Sequence, residues 1–237
     1  MRNSRFTIST SRPNVVGSFG DIESLREAKV ETLANQCDIA EIRLDLIHDD
    51  VNKHGPLVWE HLKSFPLLFT ARCQAEGSPI NLDPFERTAL LELALADASL
   101  IDIELDSVPE MHALIGKLAS KNLSWVASFH DFEKMPSCDD LERKLEASKK
   151  LGAEIFKVAS MMDSIDDVAK LASFQEKYSD GSLASMGMGI LGPVSRLLCA
   201  QAGSALNYGY LGTKSTAPGQ WSAEALFTNI HSLEPLS

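Results

Sequence analysis

The chain has 237 residues, of which 44% are hydrophobic and 23% are charged, values typical of a water-soluble globular protein. Its formal net charge of −11 argues against nucleic acids and anionic membrane surfaces as partners, because both would repel it. No run of about 18 apolar residues is present, and residues 1–6 lack the apolar segment of a signal peptide, so we expect a cytoplasmic protein without a membrane span.

Short apolar runs alternate with longer amphipathic stretches along the chain, which is the pattern of repeated strand–helix units. The predicted strands span residues 14–19, 39–45, 66–72, 100–104, 123–129, 155–159, 183–187 and 205–210. The predicted helices span residues 22–35, 56–63, 84–96, 108–121, 139–151, 165–178, 194–202 and 222–233. Such a series of units in a chain of this length indicates an α/β fold, a closed (β/α)8 TIM barrel that forms a single domain over residues 1–237.

Local signals support several helix boundaries. Asp83 is a predicted N-cap followed by Pro84, Ser107 has capping-box spacing to Glu110, and Gly152 is a predicted helix stop. A doubly wound open sheet is the alternative architecture, but no Gly-x-Gly-x-x-Gly motif follows the first predicted strand.

The four cysteines are widely spaced and include no Cys-x-x-Cys pair. They also do not pair with histidines at the spacing of a metal site. We therefore expect free thiols, either buried or incidental, and no metal centre. A catalytic cysteine is left open, although no pattern supports one.

Charged residues occur near the ends of several predicted strands, and in a barrel those ends line the mouth of the active site. The second strand carries Glu41, Arg43 and Asp45 on one face, because side chains alternate along a strand. The third strand ends at Arg72 and the fourth at Glu104. Burial of an unpaired charge is costly, so this set indicates a functional site. A salt-bridged barrel interior is the structural alternative.

Lys157 is the only lysine within a predicted strand, where apolar residues flank it. Desolvation and nearby cations, for which Arg43 and Arg72 are candidates, would lower the pKa of its amine and allow it to attack a carbonyl. His130 directly follows the preceding strand and is a candidate proton carrier. The alternatives are an ion-paired structural lysine and a hydrogen-bonded histidine at a strand end.

The last third of the chain contains two glycine-bearing loops, over residues 188–196 and 214–220. Glycine allows the backbone to approach a ligand closely, and Arg196 could bind a carboxylate through its fork of N–H donors. The alternative is that both segments are ordinary turns.

Six segments together resemble the successive signatures of the type I 3-dehydroquinate dehydratases. They are Glu-Ile-Arg-Leu-Asp (41–45), Phe-Thr-Ala-Arg (69–72), Ser-Phe-His-Asp-Phe (128–132), Phe-Lys-Val-Ala (156–159), Ser-Arg (195–196) and Ala-Pro-Gly-Gln (217–220). The resemblance covers nearly the whole chain. It implies a (β/α)8 barrel, usually a homodimer, that converts 3-dehydroquinate into 3-dehydroshikimate in aromatic amino-acid biosynthesis without a metal or organic cofactor.

The resemblance also implies roles for individual residues. Lys157 would form an imine with the substrate ketone. His130 would remove the C2 proton and return a proton to the departing C1 hydroxyl, and Glu104 would orient His130. The positions that match substrate-binding residues are Ser18, Glu41, Arg43, Arg72, Arg196, Thr216 and Gln220. Arg196 and Gln220 would hold the substrate carboxylate and hydroxyls, and Thr216 stands where many relatives have serine.

Two alternatives from other functional classes remain at this stage. A class I aldolase would share the barrel and the lysine but would cleave a carbon–carbon bond. A catalytically inactive barrel would bind a small carboxylate without turnover. The sequence also leaves open whether the activity serves biosynthesis or the breakdown of quinate.

Overall fold

Eight parallel strands form a barrel in the computed structural model, which describes residue 8 and residues 12–234. The strands are β1 (Asn14–Phe19), β2 (Ile39–Arg43), β3 (Leu67–Thr70), β4 (Leu100–Glu104), β5 (Trp125–Asp131), β6 (Ile155–Met161), β7 (Leu183–Met188) and β8 (Leu206–Leu211). Each strand from β1 to β6 forms a parallel ladder with the next strand in the chain. β1 also pairs with β8, whereas β7 and β8 form no ladder. The predicted TIM barrel is confirmed.

The barrel is nearly closed at the seam between β7 and β8. Ala205 N donates a hydrogen bond to Leu183 O at 2.9 Å, and Ser185 N donates to Ser204 Oγ at 3.1 Å. Both bonds lie near the start of the two strands. At the other end of this seam, the connection is made by the loops that follow the strands.

Helices surround the barrel in the described part of the chain. They are α1 (Ile22–Glu27), α2 (Val30–Leu33), α3 (His48–His54), α4 (Pro84–Ala94), α5 (His112–Ser120), α6 (Cys138–Lys150), α7 (Ile165–Lys177), α8 (Gly192–Gln201) and α9 (Ala223–Ile230). Turns of 3-10 helix span Gly55–Leu62, Gln74–Glu76 and Leu105–Ser107. None of the helices in residues 12–234 has both the length and the hydropathy to cross a membrane.

Near the N-terminus, one predicted helix was wrong in detail and one helix was not predicted. The segment predicted as one helix over residues 22–35 divides at Ala28, whose extended backbone separates α1 from α2. The division lets Leu25 and Leu33 both become buried. Residues 48–54 lie outside the predicted elements but form α3, in which Val51 is the buried residue. One apolar residue in seven is too weak a periodic signal to predict a helix.

Two of the three boundary signals are confirmed. Asp83 caps α4 in a capping box with Glu86, and Gly152 ends α6 with a φ of 80°, in the left-handed region that favours glycine. The predicted capping box at Ser107 was wrong, because Ser107 lies in a 3-10 turn and its hydroxyl accepts a hydrogen bond from Arg87 Nη1 at 3.2 Å. The helix itself begins later, at His112.

The barrel interior is built in layers, and the lowest layer is apolar. Each strand contributes one buried side chain to this floor, namely Val16, Ile39, Leu68, Leu100, Val126, Ile155, Ala184 and Leu206. Two residues further along each strand, the same face carries Ser18, Glu41, Thr70, Asp102, Ser128, Lys157, Met186 and Tyr208. The alternation of a parallel strand therefore places a mostly polar layer directly on a dry floor, and the candidate site lies there.

Candidate active site

A cavity of about 290 Å³ opens at the carboxyl ends of the strands. It is lined by nine of the predicted site residues, namely Ser18, Glu41, Arg43, Arg72, His130, Lys157, Arg196, Thr216 and Gln220. Glu76, Met186, Met188 and Tyr208 also line it. Cavities of about 440 and 630 Å³ elsewhere on the surface contain none of the predicted residues. The smaller cavity is therefore the candidate active site, because the predicted ionisable side chains line it.

Lys157 lies on β6 with only 4% of its side chain exposed. Its Nζ donates a hydrogen bond to Asp102 Oδ2 at 2.7 Å and lies 4.3 Å from the centre of the Tyr208 ring. Burial lowers the pKa of the amine and the nearby Arg72 lowers it further, while Asp102 opposes both effects. The amine is therefore more easily deprotonated than a surface lysine, and Asp102 fixes its position.

Asp102 connects the lysine to the rest of the polar layer. Its carboxylate also accepts hydrogen bonds from Arg72 Nη2 at 2.9 Å and from Ser128 Oγ at 2.6 Å. Burial would raise its pKa, but Arg72 and Lys157 outweigh burial and lower the pKa to about 2. Asp102 is therefore a permanent buried anion beside the amine. The sequence analysis assigned it no role, although alternation along β4 places it on the same face as Glu104.

Glu104 does not contact His130, so the prediction that it orients the histidine was wrong. Its Oε1 accepts hydrogen bonds from Arg72 Nη1 at 3.0 Å and from Cys73 N at 2.9 Å, and its Oε2 pairs with Arg87 Nη2. Two guanidinium groups and a backbone N–H thus occupy this carboxylate. Glu104 instead fixes Arg72 and the start of the loop that follows β3.

The carboxylate that contacts His130 is that of Glu76, in the 3-10 turn after β3. Glu76 Oε2 lies 2.8 Å from His130 Nδ1 and accepts a hydrogen bond from His130 N at 3.0 Å. This contact leaves Nε2 as the ring nitrogen that can act in the cavity. Glu76 was not among the predicted site residues. The sequence feature that could have indicated it is a carboxylate four residues after Arg72 and directly before a glycine. In the structure that glycine, Gly77, has a φ of 99°. Any side chain at Gly77 would collide with the ring of Phe132.

The protonation of this pair is set by its burial. Burial raises the pKa of Glu76 to about 8, with Arg72 opposing the shift and the carboxylates of Glu104 and Asp102 adding to it. Burial, together with the cations Arg72 and Lys157, lowers the pKa of His130 well below its ordinary value. At neutral pH the histidine is therefore uncharged, which a proton acceptor requires.

The first strands hold their polar side chains in fixed positions. Ser18 Oγ donates a hydrogen bond to Glu41 Oε2, and Thr70 Oγ1 donates to Glu41 Oε1 at 2.7 Å. Arg43 donates from Nε and Nη2 to the carboxylate of Asp45, at 2.9 and 2.7 Å. Arg43 therefore pairs with Asp45 in the wall of the cavity, while Glu41 is held by two hydroxyls rather than by an arginine.

Arg196 is a buried cation in the second turn of α8, and 1% of it is exposed. Its Nη1 donates a hydrogen bond to Tyr208 O at 2.8 Å, but its Nε has no hydrogen-bond partner within residues 12–234. It forms no ion pair with the residues that the structure describes, and burial lowers its pKa to about 10. A buried guanidinium with an unpaired N–H group and no ion pair favours the binding of an anion.

The loops after β7 and β8 meet over the cavity. Thr216 donates from N and Oγ1 to Gln220 Oε1, both at 2.9 Å, and Gly189 N donates to Pro218 O at 3.3 Å. Gly219 has a φ of 68°, and a Cβ at this position would collide with the carbonyl of Gly189. Glycine is therefore required for the two loops to contact each other.

The four cysteines are free thiols. Cys37 and Cys199 are buried, and burial raises the pKa of each thiol to about 12. Neither thiol is a usable nucleophile at neutral pH. Within the described residues, no group of three or more His, Cys, Asp or Glu side chains is arranged to hold a metal ion.

The raised pKa of Glu76 predicts a pH-dependent stability. Between pH 6.5, the ordinary pKa of His130, and about pH 8, the folded protein keeps a proton on Glu76 that the unfolded chain releases. The free energy of unfolding should fall by ~1 kcal/mol per pH unit over this range. Glu76→Gln cannot ionise and should remove this dependence, as measured by urea denaturation at pH 6.5 and 8. Equal slopes for the two proteins would contradict the assignment.

Comparisons with known proteins identify the family. A model of the type I 3-dehydroquinase family matches residues 19–236. A 3-dehydroquinate dehydratase of Bacillus licheniformis is 32% identical over 96% of this chain and 94% of the relative, and a catabolic 3-dehydroquinate dehydratase of Acinetobacter baylyi is 34% identical over 90% and 82%. The crystal structure of 3-dehydroquinate dehydratase from Geobacillus kaustophilus superposes with a TM-score of 0.82 at 28% identity, covering 93% of this chain and 91% of that one. This chain belongs to the type I 3-dehydroquinase family.

Proposed function

We propose that this chain catalyses the dehydration of 3-dehydroquinate to 3-dehydroshikimate through an imine formed on Lys157. The observation that carries the proposal is a buried lysine with a lowered pKa that lines the same cavity as an uncharged histidine. Family membership and the names of the relatives agree with it.

The reaction can be written for the residues present. The Lys157 amine adds to the C3 ketone, and loss of water from the adduct gives an iminium ion. The cationic iminium draws electrons and makes the C2 proton acidic. His130 removes that proton through Nε2, and the electron pair expels the C1 hydroxyl, which takes a proton back from the histidine. Hydrolysis of the imine then releases the product and restores the amine, with the net loss of one water molecule.

Asp102 supports both charged states of the lysine. The iminium ion carries one positive charge at the nitrogen, as the ammonium ion does, and the carboxylate accepts its hydrogen bond at 2.7 Å in the resting protein. Because Asp102 is ionised and fixed by Arg72 and Ser128, no reorganisation is needed as the charge forms.

The same cavity offers groups for the rest of the substrate. We assign the substrate carboxylate to Arg196, which has no anionic partner among the described residues. We assign the hydroxyls to Glu41, Arg43, Arg72 and Gln220, with Ser18 and Thr216 holding Glu41 and Gln220 in place. These arginines would also overcome the repulsion of an anionic substrate by a chain of net charge −11.

We further propose that the protein is a cytoplasmic homodimer and that the whole chain acts as a single domain, as the family resemblance implies. Sedimentation velocity at micromolar concentration would give the oligomeric state.

The first test is borohydride reduction of the protein in the presence of 3-dehydroquinate, followed by peptide mass mapping. We expect a stable adduct on the peptide that contains Lys157, because reduction converts the imine into a secondary amine. Lys157→Ala should give neither adduct nor turnover. Lys177→Ala, which removes an exposed lysine paired with Glu142, is the matched control and should behave as the wild type.

An adduct on a different lysine, or none with a folded protein, would overturn the proposal. A retro-aldol assay on sugar phosphates would then test for an aldolase. Tight binding of 3-dehydroquinate without turnover would indicate an inactive binder.

His130→Ala tests the role of the histidine. Turnover should fall by about 10²- to 10⁴-fold, the usual contribution of a general acid–base group. Imine formation should persist because Lys157 is intact, so the fraction of protein trapped by borohydride at steady state should rise above the wild-type value. Turnover within twofold of the wild type would remove the histidine from the proposed mechanism.

Arg196→Met tests the assignment of the substrate carboxylate, since it keeps roughly the length of the side chain and removes its charge. We expect kcat/KM to fall by about 100-fold, since truncating one partner of a buried charge pair costs ~2–5 kcal/mol. The unliganded variant should be as stable as the wild type or more so, because a buried cation without an anion is costly. Arg26→Met, at an exposed pair with Asp50, serves as the control. An unchanged KM would place the carboxylate elsewhere.

A further inference from the structure

Tyr208 lies in the polar layer beside the lysine, and no role has so far been given to its side chain. It is on β8, is 4% exposed and lines the cavity. The centre of its ring is 4.3 Å from Lys157 Nζ. The face of an aromatic ring attracts a cation, so the ring alone explains part of this position. The hydroxyl needs a separate explanation.

The Tyr208 hydroxyl is buried and makes no hydrogen bond to any of the residues that the structure describes. A buried hydroxyl without a partner costs free energy, so phenylalanine would be the more stable residue here. The carboxylates nearby are already occupied. Glu41 accepts from Ser18 and Thr70, and Asp102 accepts from three donors that include Lys157. The hydroxyl is thus a donor without an acceptor in the unliganded protein.

The hydroxyl can act only as a donor. Burial raises the pKa of Tyr208 well above its ordinary value, and the charges of Asp102 and Glu41 raise it further. The phenol therefore stays protonated at every working pH and is excluded as a base. The ring centre lies 4.3 Å from Nζ, so the oxygen on a substrate carbon that bonds to Nζ would lie beside the Tyr208 side chain.

We propose that Tyr208 is a further catalytic residue, whose hydroxyl donates a hydrogen bond to the oxygen on substrate C3 while Lys157 adds to that carbon. The inference rests on the proposed function, because it requires an imine-forming lysine. It adds a stabilising donor for the one intermediate in which this oxygen carries charge.

The step needs no reagent other than one solvent proton. The nitrogen lone pair forms the C–N bond, and the π electrons of the carbonyl move to oxygen, where the tyrosine O–H stabilises the developing negative charge. This oxygen takes up the proton that the nitrogen loses. With a second proton supplied by the solvent it then leaves as water while the cationic C=N bond forms, and hydrolysis of the iminium later returns that proton to the solvent. Tyrosine transfers no proton at any point. Hydrolysis of the imine uses the same contact in reverse.

The test compares the wild type with Tyr208→Phe, which keeps the ring over Lys157 and removes one oxygen atom. The rate constant for adduct formation with 3-dehydroquinate is measured by rapid mixing and borohydride quench. We expect this rate constant to fall about tenfold, the effect of losing one neutral hydrogen bond to a developing charge. The urea midpoint should stay the same or rise, because an unpaired buried group is removed.

Tyr210→Phe is the matched control. It makes the same chemical change two residues further along β8, at a side chain that does not line the cavity, and should leave the rate constant unchanged. Wild-type protein that forms no adduct would refute the proposed function itself. If the wild type forms the adduct, an equal rate for Tyr208→Phe would refute this inference alone. A slower rate accompanied by a lower urea midpoint would indicate a structural role and would also overturn it.

Discussion

The hydrogen bond between Lys157 and Asp102 joins two charges that are both removed from water. Either charge alone would be very costly at this depth, so each is tolerated because of the other. The pair lies directly on the apolar floor of the barrel, where water does not compete for it. Burial lowers the pKa of the lysine and the ion pair raises that pKa, with burial the larger effect. The amine is therefore both fixed in position and easily deprotonated.

This pair is the end of a chain of alternating charges. Arg72 donates hydrogen bonds to both Asp102 and Glu104. Glu104 also accepts a hydrogen bond from Arg87 on α4, and the Nε of Arg87 donates to the backbone carbonyl of Ala71 at 2.7 Å. The chain runs from β6 through β4 and the loop after β3 to an outer helix. Each member has a neighbour of opposite sign, so the lysine is positioned by a network that extends to the outer helix layer of the barrel.

The sequence predicts the barrel well because the side chains of each strand alternate between two faces. The outward face is mostly apolar, and the inward face carries an apolar floor residue followed, in most strands, by a polar residue. Lys157 and His130 stand out for the same reason, since a charged or titratable group within an apolar run is rare. Glu76 could not be found this way. It reaches His130 across a loop, and its position depends on the fold of Gly77 rather than on strand alternation. Glu104 was misassigned because alternation gives the face of a strand but not the partner. Tyr208 escaped notice because an aromatic residue in a strand is ordinary until its hydroxyl is seen to be unpaired.

The seam between β7 and β8 divides the barrel into two mechanically different parts. The strands that carry Lys157 and His130 belong to the continuous series of ladders from β1 to β7. Arg196 and Gln220 lie beside the seam. Isolated hydrogen bonds and the loop contact at Gly219 connect the two sides of this seam. Regions with fewer backbone hydrogen bonds open at lower free energy. The side of the cavity that holds Arg196 and Gln220 can therefore adjust its width to a ligand, while the side that holds Lys157 and His130 keeps its geometry.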